Sequence, residues 1–386
     1  MSFLGYPRKS GAVGVRNYVG VISVGLCAND VVWGIAHRVK DCVPFIHGQG
    51  CCQTKSDLDQ VTRTLISLGW NPNLAAVLLV SLGCESVPIE QIAEGISQSG
   101  KTVETMVILK EGGITSALAR GCQLTQAMAV EATKAKREEF PDSKLILGVK
   151  CGASDTTSGL ISNPAAGIAC DLLISKGGAC VFGETTEFIG AEHVLAQRAA
   201  TQQVGKKIMD IVGRMENRAI DIGDDLRGGQ LTHGSVAGGL TTIEEKSLGA
   251  ISKCGSKFIK NVYEYGERIQ GKGLFIIDTP GREPEFLTGL AAAGAQVIVF
   301  TTGLGAPQGF PFVPVIKVTG NPNTYKRVTE HIDVFVEITD EAGAAVAGAG
   351  HLLYQEALAV ASGKKTKAEL LGIGNFCNIY TTGPTI

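Results

Sequence analysis

The chain has 386 residues, with 35 Lys and Arg against 37 Asp and Glu and a formal charge of −2. At roughly 150 residues per domain that is enough for two or three domains, and there is no global field to hold nucleic acid or an anionic membrane. Glycine, at 50 residues, is nearly twice its usual share of about 7%, which suits an enzyme with tight turns around a ligand and excludes disordered, collagenous and coiled-coil classes.

Short Val- and Ile-rich runs alternate with segments of helical period, the pattern of parallel α/β sheets. In chain order the pattern predicts a strand over 18–24, a helix over 28–39, a strand over 43–47, a helix over 55–68, a strand over 75–82, a helix over 88–98, a strand over 104–109 and a helix over 114–136. The charged, Pro-containing stretch KAKREEFPDSK, 134–144, then marks the expected boundary between an N-terminal α/β unit, 1–142, and a C-terminal one, 143–386. The second unit is expected to hold strands over 145–150, 179–182, 273–278, 296–300 and 313–318. Its helices are expected over 163–176, 187–216, 242–254, 284–293, 323–329 and 341–362. Between two of them lies a Gly-rich stretch, 222–240, too long for an ordinary connection. The fold class is α/β, with two Rossmann-like parallel-sheet units. The longest apolar run, LAAVLLVSLG from Leu74, is about half of the roughly 20 residues a membrane helix needs. With no export signal at the amino terminus, the reading is a cytoplasmic protein with no membrane partner, whose eleven cysteines are reduced.

In open parallel sheets ligands bind beyond the carboxyl ends of the strands. The polar residues at those positions are Cys27 and Asn29; His47, Cys51 and Cys52; Cys84 and Glu85; Cys151, Ser154 and Asp155; Glu184; Asp278 and Thr279; and Thr301 and Thr302. HGQGCC sets an imidazole and a thiol four residues apart across glycines, a donor pair suited to Fe, Zn or Cu(I). Cys51, Cys84 and Cys151 are therefore expected to share a metal site with His47 nearby, holding one Fe(II) or a cluster with one iron left free. The alternative, a small buried hydrophobe, is assigned to Cys122, Cys170, Cys180 and Cys254. TTGLGAPQG, 301–309, could cradle a carboxylate, but it lacks GxGxxG spacing and no GxxxxGK[ST] occurs, which argues against a nucleotide cofactor. In GGLTTIEEKSLG, Thr241 or Thr242 is a helix N-cap and Glu244 or Glu245 falls in the first turn, one capping and the other free to face a site. Glu184 closes an apolar strand, while Glu187 is explained by the positive end of the following helix.

The segments RNYVGVISVG, HGQGC, LVSLGCE, KCGASDTTSGLISNPAAG, GETTEFIGAEH, GGLTTIEEKSLGAI, DTPG and FTTGLGAPQG, in this order, resemble the large catalytic region of the altronate and galactarate dehydratase family, which also includes the large subunit of sulfolactate sulfo-lyase. The resemblance covers nearly the whole chain. It implies a lyase dependent on a divalent metal, Fe(II) foremost, that removes water from a sugar acid to give a 2-keto-3-deoxy acid. Such an elimination needs a Lewis acid, a base for the α-proton and donors for the enolate. The assigned roles are Glu245 or His47 as proton acceptor, Glu184 as a second acid–base group and Lys246 beside the carboxylate. Ser154, Asp155, Thr301 and Thr302, with Arg16 and Asn17 of the RNYVG motif, are expected to bind substrate. Single-chain members of the family carry a small β-rich module ahead of RNYVG, whereas fifteen residues precede Arg16 here. The resemblance therefore implies a separately encoded small β-rich subunit, alongside a homo-oligomeric state. The alternatives are a sulfolactate sulfo-lyase large subunit releasing sulfite, and a non-catalytic paralogue that binds a hydroxy acid.

Overall fold

Among the described residues the strands fall into three sheets. The computed structural model describes residues 1–229, 231–337 and 342–386. The strands are β1 Ser2–Pro7, β2 Val13–Gly14, β3 Tyr18–Ser23, β4 Cys42–Phe45, β5 Leu74–Ser81, β6 Thr102–Val107, β7 Glu138–Pro141, β8 Ile146–Gly152, β9 Ala179–Phe182, β10 Ile259–Tyr263, β11 Gly273–Ile277, β12 Val297–Thr302, β13 Val315–Thr319 and β14 Val334–Phe335. A four-stranded sheet has the order β4-β3-β5-β6, a seven-stranded sheet the order β10-β11-β9-β8-β12-β13-β14, and a small sheet the order β2-β1-β7. Every pair in the two large sheets is parallel, and the small sheet is antiparallel. With β8, β9, β11, β12, β13 and β14 taken as strands one to six, the larger sheet has the doubly wound order, flanked by one additional edge strand, β10.

All nine strands expected from the apolar runs are present. The small sheet was not expected. The stretch 134–144, read as a connection, contains β7, whose charged residues point outward while its backbone pairs with β1 and Phe140 packs 6.4 Å from Phe3. Charges on a short edge strand are a common protection against further pairing. The single helix expected over 187–216 is two, Glu192–Gln197 and Gln202–Ile220. Between them the backbone turns aside to β10, with Ala200 N donating to Ile259 O and Ile259 N to Arg198 O, both at 2.9 Å. The 222–240 stretch holds two short helices, Leu226–Gly229 and His233–Ala237; its Gln230, like Glu341 of the expected last helix, lies outside the described residues.

The helix Glu283–Ala293 joins the two large sheets. Every residue from Pro284 to Ala293 is buried, as expected of a helix with protein on all sides. Its side chains share a core with Val77 and Leu79 of β5, Leu65 and Leu68 of the helix Lys55–Trp70, and Phe275, Ile298 and Phe300 of the larger sheet. The carboxyl-terminal tail crosses the same junction. Asp57 accepts Thr382 N and Gly383 N at 2.9 Å, Gln60 donates to Tyr380 O at 2.6 Å, and Ile386 N donates to Cys52 O at 2.8 Å. Among the described residues no helix is long and apolar enough to cross a membrane.

Buried amides complete the junction. Asn73 accepts Val15 N and donates to Gln296 O and Phe312 O, each at 2.9 Å. Asn73→Ala should therefore strand three buried backbone groups and lower stability by roughly 3 kcal/mol. Equilibrium urea denaturation checks this, and a change under about 0.5 kcal/mol would show that the amide contributes little.

Candidate active site at the sheet ends

In the seven-stranded sheet the strand order reverses between β8 and β12, and the loops leaving these two strands meet. Cys151 and Gly152 pair with Thr301 and Thr302 at the strand ends. Beyond them, Gly303 N and Leu304 N donate to Ala153 O at 3.1 and 3.0 Å. A Cβ on Gly303 would stand 2.3 Å from Asp155 Cγ, so only glycine lets the two loops close up. Asp155 fastens the junction: Oδ1 accepts Ser158 N at 2.9 Å and Thr157 Oγ1 at 2.7 Å, and Oδ2 accepts Asn321 Nδ2 at 2.7 Å. Ala153, at φ 49°, and Glu184, at φ 70°, both occupy the left-handed region, which costs a non-glycine residue energy and collects at functional sites.

Behind this junction lies a closed set of charges. Lys150 Nζ lies 3.0 Å from Glu184 Oε1 and 3.7 Å from Glu283 Oε1; Lys253 Nζ lies 2.9 Å from Glu184 Oε2 and 3.9 Å from Glu187 Oε2; Lys246 Nζ lies 3.1 Å from Glu187 Oε1. Lys150, Lys253 and Glu184 are fully buried. Cys151 Sγ sits among them, 2.9 Å from Glu187 Oε2 and 3.2 Å from Lys253 Nζ. Burial pushes the Glu187 carboxyl upward, but Lys246 and Lys253 outweigh it and hold the group at about 2. Burial, reinforced by Glu184 and Glu187, pushes the Cys151 thiol well up. Burial lowers all three ammonium groups, yet the surrounding anions raise them further, so they stay charged. Cys151, Glu184 and Glu187 could bind a metal ion, since one donor atom from each lies within 4.8 Å of the others. One thiolate and two carboxylates fit a single divalent ion by type, although Lys253 now stands in the cationic position between them.

The remaining expected site residues are distributed unevenly. Ser154, Asp155, Glu245 and Lys246 line one cavity of about 360 Å³, together with Asn163 and Leu240. Thr242 caps the helix Ile243–Ile251 by accepting Glu245 N at 3.1 Å, and Glu245 Oε2 reaches back to Thr241 N at 2.8 Å and Thr241 Oγ1 at 2.6 Å. These bonds lower the Glu245 pKa. Glu244 turns away to Arg227 at 3.0 Å. Thr301 donates to Lys150 O at 3.2 Å, and Thr302 accepts Gly305 N and Ala306 N at 3.0 Å, so both buried hydroxyls hold the loop. A larger cleft of about 870 Å³ opens between the helix Lys55–Trp70 and the end of β10 with the segment that follows it, away from the β8–β12 junction.

His47, Arg16 and Asn17 take positions that differ from the expectation. His47 Nε2 donates to Ser23 O at 2.8 Å and Nδ1 accepts Gln49 N at 3.1 Å, so both ring nitrogens are committed to the loop and neither faces a proton or an ion. Burial lowers its pKa to about 4, against the opposing Ser23 carbonyl. Arg16 pairs with Glu369 at 2.7 Å and donates to Val360 O and Lys364 O, and Asn17 donates to Ala132 O at 2.8 Å. Both precede β3 and therefore lie at the edge opposite the ligand rim. The loops that carry Cys51 and Cys84 are joined by Ser86 N donating to Gly50 O at 3.1 Å, while Cys151 has the separate, buried partners described here. Sequence reasoning missed Lys150 and Lys253 and explained Glu187 by helix polarity. The available signal was a lysine inside an apolar strand run, a rare occurrence unless it is paired.

Known proteins resemble the chain over nearly its whole length. Residues 142–384 match the family model described as D-galactarate/Altronate dehydratase, C-terminal, and residues 5–133 match D-galactarate dehydratase/Altronate hydrolase, second domain. The chain is 38% identical over 378 residues to the (2R)-sulfolactate sulfo-lyase subunit beta of Chromohalobacter salexigens, covering 97% of this chain and 96% of that subunit. It is 34% identical over 342 residues to the altronate dehydratase of Bacillus subtilis, covering 86% of this chain and 68% of that enzyme. To the galactarate dehydratase (L-threo-forming) of Escherichia coli it is 30% identical over 404 residues, covering 99% and 77%.

The buried imidazole makes a pH prediction. Because the folded pKa of His47, about 4, lies below the ordinary imidazole value of 6.5, the unfolded chain binds the extra proton in that window and stability falls as pH drops through it. The loss from pH 7 to pH 5 should be about 2 kcal/mol more in the parent than in His47→Asn. Denaturant titrations at both pH values measure it, and parallel slopes would refute it.

Proposed function

Since the chain belongs to the D-galactarate/altronate dehydratase family, we propose that it is a lyase that removes water from a sugar acid of the altronate or galactarate type, giving a 2-keto-3-deoxy acid. The observation that carries this reading is the cavity at the β8–β12 junction, which brings Ser154, Asp155, Glu245 and Lys246 to one space of about 360 Å³, within the range of small-molecule sites. Lys246 stays charged beside Glu187, so its ammonium binds the substrate carboxylate and stabilises the enolate that develops from it. Glu245, ionised and held by Thr241, accepts the α-proton. Ser154 meets the sugar hydroxyls, and Asp155 positions the loop that presents it. Glu184 does not line the cavity; it keeps Lys150 and Lys253 in place behind it.

A metal belongs to the same proposal, with Fe(II) foremost. Once bound it supplies a Lewis acid for the departing hydroxyl. Cys151, Glu184 and Glu187 would hold a single ion if Lys253 yielded its position. The enzyme is further proposed to be cytoplasmic, self-associated, and the large subunit of a pair with a separately encoded small β-rich chain. Support for a partner comes from the full-length match to a protein named as a beta subunit. It comes also from Leu160 and Leu248, which border the cavity yet are 69% and 51% exposed.

A second reading has its own observation. The match to the sulfo-lyase subunit spans 96% of that protein, against 68% of the B. subtilis dehydratase, and on this reading sulfite leaves in place of water. One anaerobic screen decides between them: a panel of sugar acids and sulfolactate, with Fe(II), and with and without the small subunit. A 2-keto-3-deoxy acid product supports the dehydratase, sulfite release supports the second reading, and no turnover under any condition overturns both. Glu245→Gln keeps the cap but not the base, so kcat should fall about 10²- to 10⁴-fold with the fold intact. Near-parental turnover would remove Glu245 from its role.

A further inference from the structure

The four-stranded sheet has a switch point of its own, between β3 and β5, and the elimination steps derived from the cavity leave its residues unused. The loop after β3 carries Cys27, the loop after β4 carries Cys51 and Cys52, and the loop after β5 carries Cys84. Backbone hydrogen bonds staple the three loops together: Leu26 N donates to Gln49 O and Ser86 N donates to Gly50 O, both at 3.1 Å. Gly50, at φ +108°, lies so close to the first loop that a Cβ would stand 2.7 Å from Val24 O. Glu85 folds back to accept Ser81 Oγ at 2.6 Å and Gly83 N at 2.8 Å, which sets the Cys84 loop. Cys51 Sγ and Cys52 Sγ are 3.6 Å apart, and Cys52 is a non-glycine residue at φ 53°. Cys84 lies within electrostatic reach of Cys27 and Cys51. All four are free thiols, three exposed and Cys51 partly so. Exposed thiols are open to oxidation, so four collected from three loops at a ligand-binding edge call for a function.

We propose that Cys27, Cys51 and Cys84 ligate an iron–sulfur cluster at this switch point, an assignment that deepens the lyase reading and rests on it. An all-thiolate donor set selects iron–sulfur or zinc over hard cations. Spacing decides between them. Among the described residues only Cys151, Glu184 and Glu187 form a trio with donor atoms all within 4.8 Å of one another, so the three switch-point thiols are spread more widely than the shell of one ion. A polynuclear cluster takes each thiolate on a different iron and spans that wider spacing. Three protein ligands leave one iron open to an oxygen ligand. The competing donor set around Cys151 already has the Lys253 ammonium 3.2 Å from its sulfur.

The test is anaerobic reconstitution of the whole chain with Fe(II) and sulfide, read by iron content, acid-labile sulfide, visible absorption and electron paramagnetic resonance after reduction. The parent should bind iron and labile sulfide in near-equal amounts. Cys27→Ser, Cys51→Ser and Cys84→Ser should each lower acid-labile sulfide at least about tenfold, since losing even an outer hydrogen-bond partner costs 10- to 100-fold in metal affinity. Cys151→Ser should keep the labile sulfide of the parent, whatever it does to a single ion at its own site. Alkylation and mass spectrometry on the parent protein give a second readout independent of variant folding: loading should protect Cys27, Cys51 and Cys84 and leave Cys52 reactive. Iron bound without labile sulfide, full labile sulfide in the three serine variants, or loss of labile sulfide in Cys151→Ser would each overturn the assignment. A loaded cluster in a protein that converts neither sugar acids nor sulfolactate would keep the cluster and discard the lyase reading.

Discussion

Lys150, Lys246 and Lys253 face Glu184, Glu187 and Glu283 in a region largely closed to water, and most of the larger sheet is organised by the need to keep them matched. Lys150 comes from β8, Glu184 and Glu187 from the turn after β9, Lys246 from the helix Ile243–Ile251, Lys253 from the turn that follows it and Glu283 from the helix between the sheets. A buried ion pair gains little over apolar packing, but losing one partner leaves an uncompensated charge. None of these elements can therefore be missing while the others remain in place. The left-handed backbone at Glu184 is the local cost of turning its carboxylate into the array.

The array also reaches the cavity. Lys246 and Asp155, tied through Glu187 and Asn321 into the sheet end, line it together with the exposed Glu245 and with Leu160, Leu240 and Leu248. On the proposed reading a small acid would meet an ammonium already fixed by the sheet end, so the charge that stabilises an enolate would be in place before the acid arrives.

Much of the fold was legible because β-branched runs in parallel strands are nearly continuous: β8, β9, β11 and β12 stand out in this way. β7 was not, because its residues are chosen for an exposed edge and its pairing partner lies more than a hundred residues away. Strand-end logic placed Cys51 and Cys84 near one another and Ser154, Asp155, Glu245 and Lys246 around one space. It did not show that both nitrogens of His47 are taken by its own loop, since hydrogen bonds to backbone groups leave no pattern in the side chains. Arg16 and Asn17 could have been set aside from direction alone, as residues preceding a strand lie at the edge opposite its ligand end.

The carboxyl-terminal tail fastens the loop that carries Cys51 and Cys52: Ile386 N bonds Cys52 O, and Gln49 donates to Ile379 O. These contacts join the segment around Ile379 to one made more than 300 positions earlier. The amino-terminal sheet can form while the chain is still emerging from the ribosome, but its thiol loop stays unlatched until residues 379–386 have been made. A group inserted there meets a chain already synthesised through both large sheets, so the order of synthesis itself separates folding of the scaffold from completion of the site.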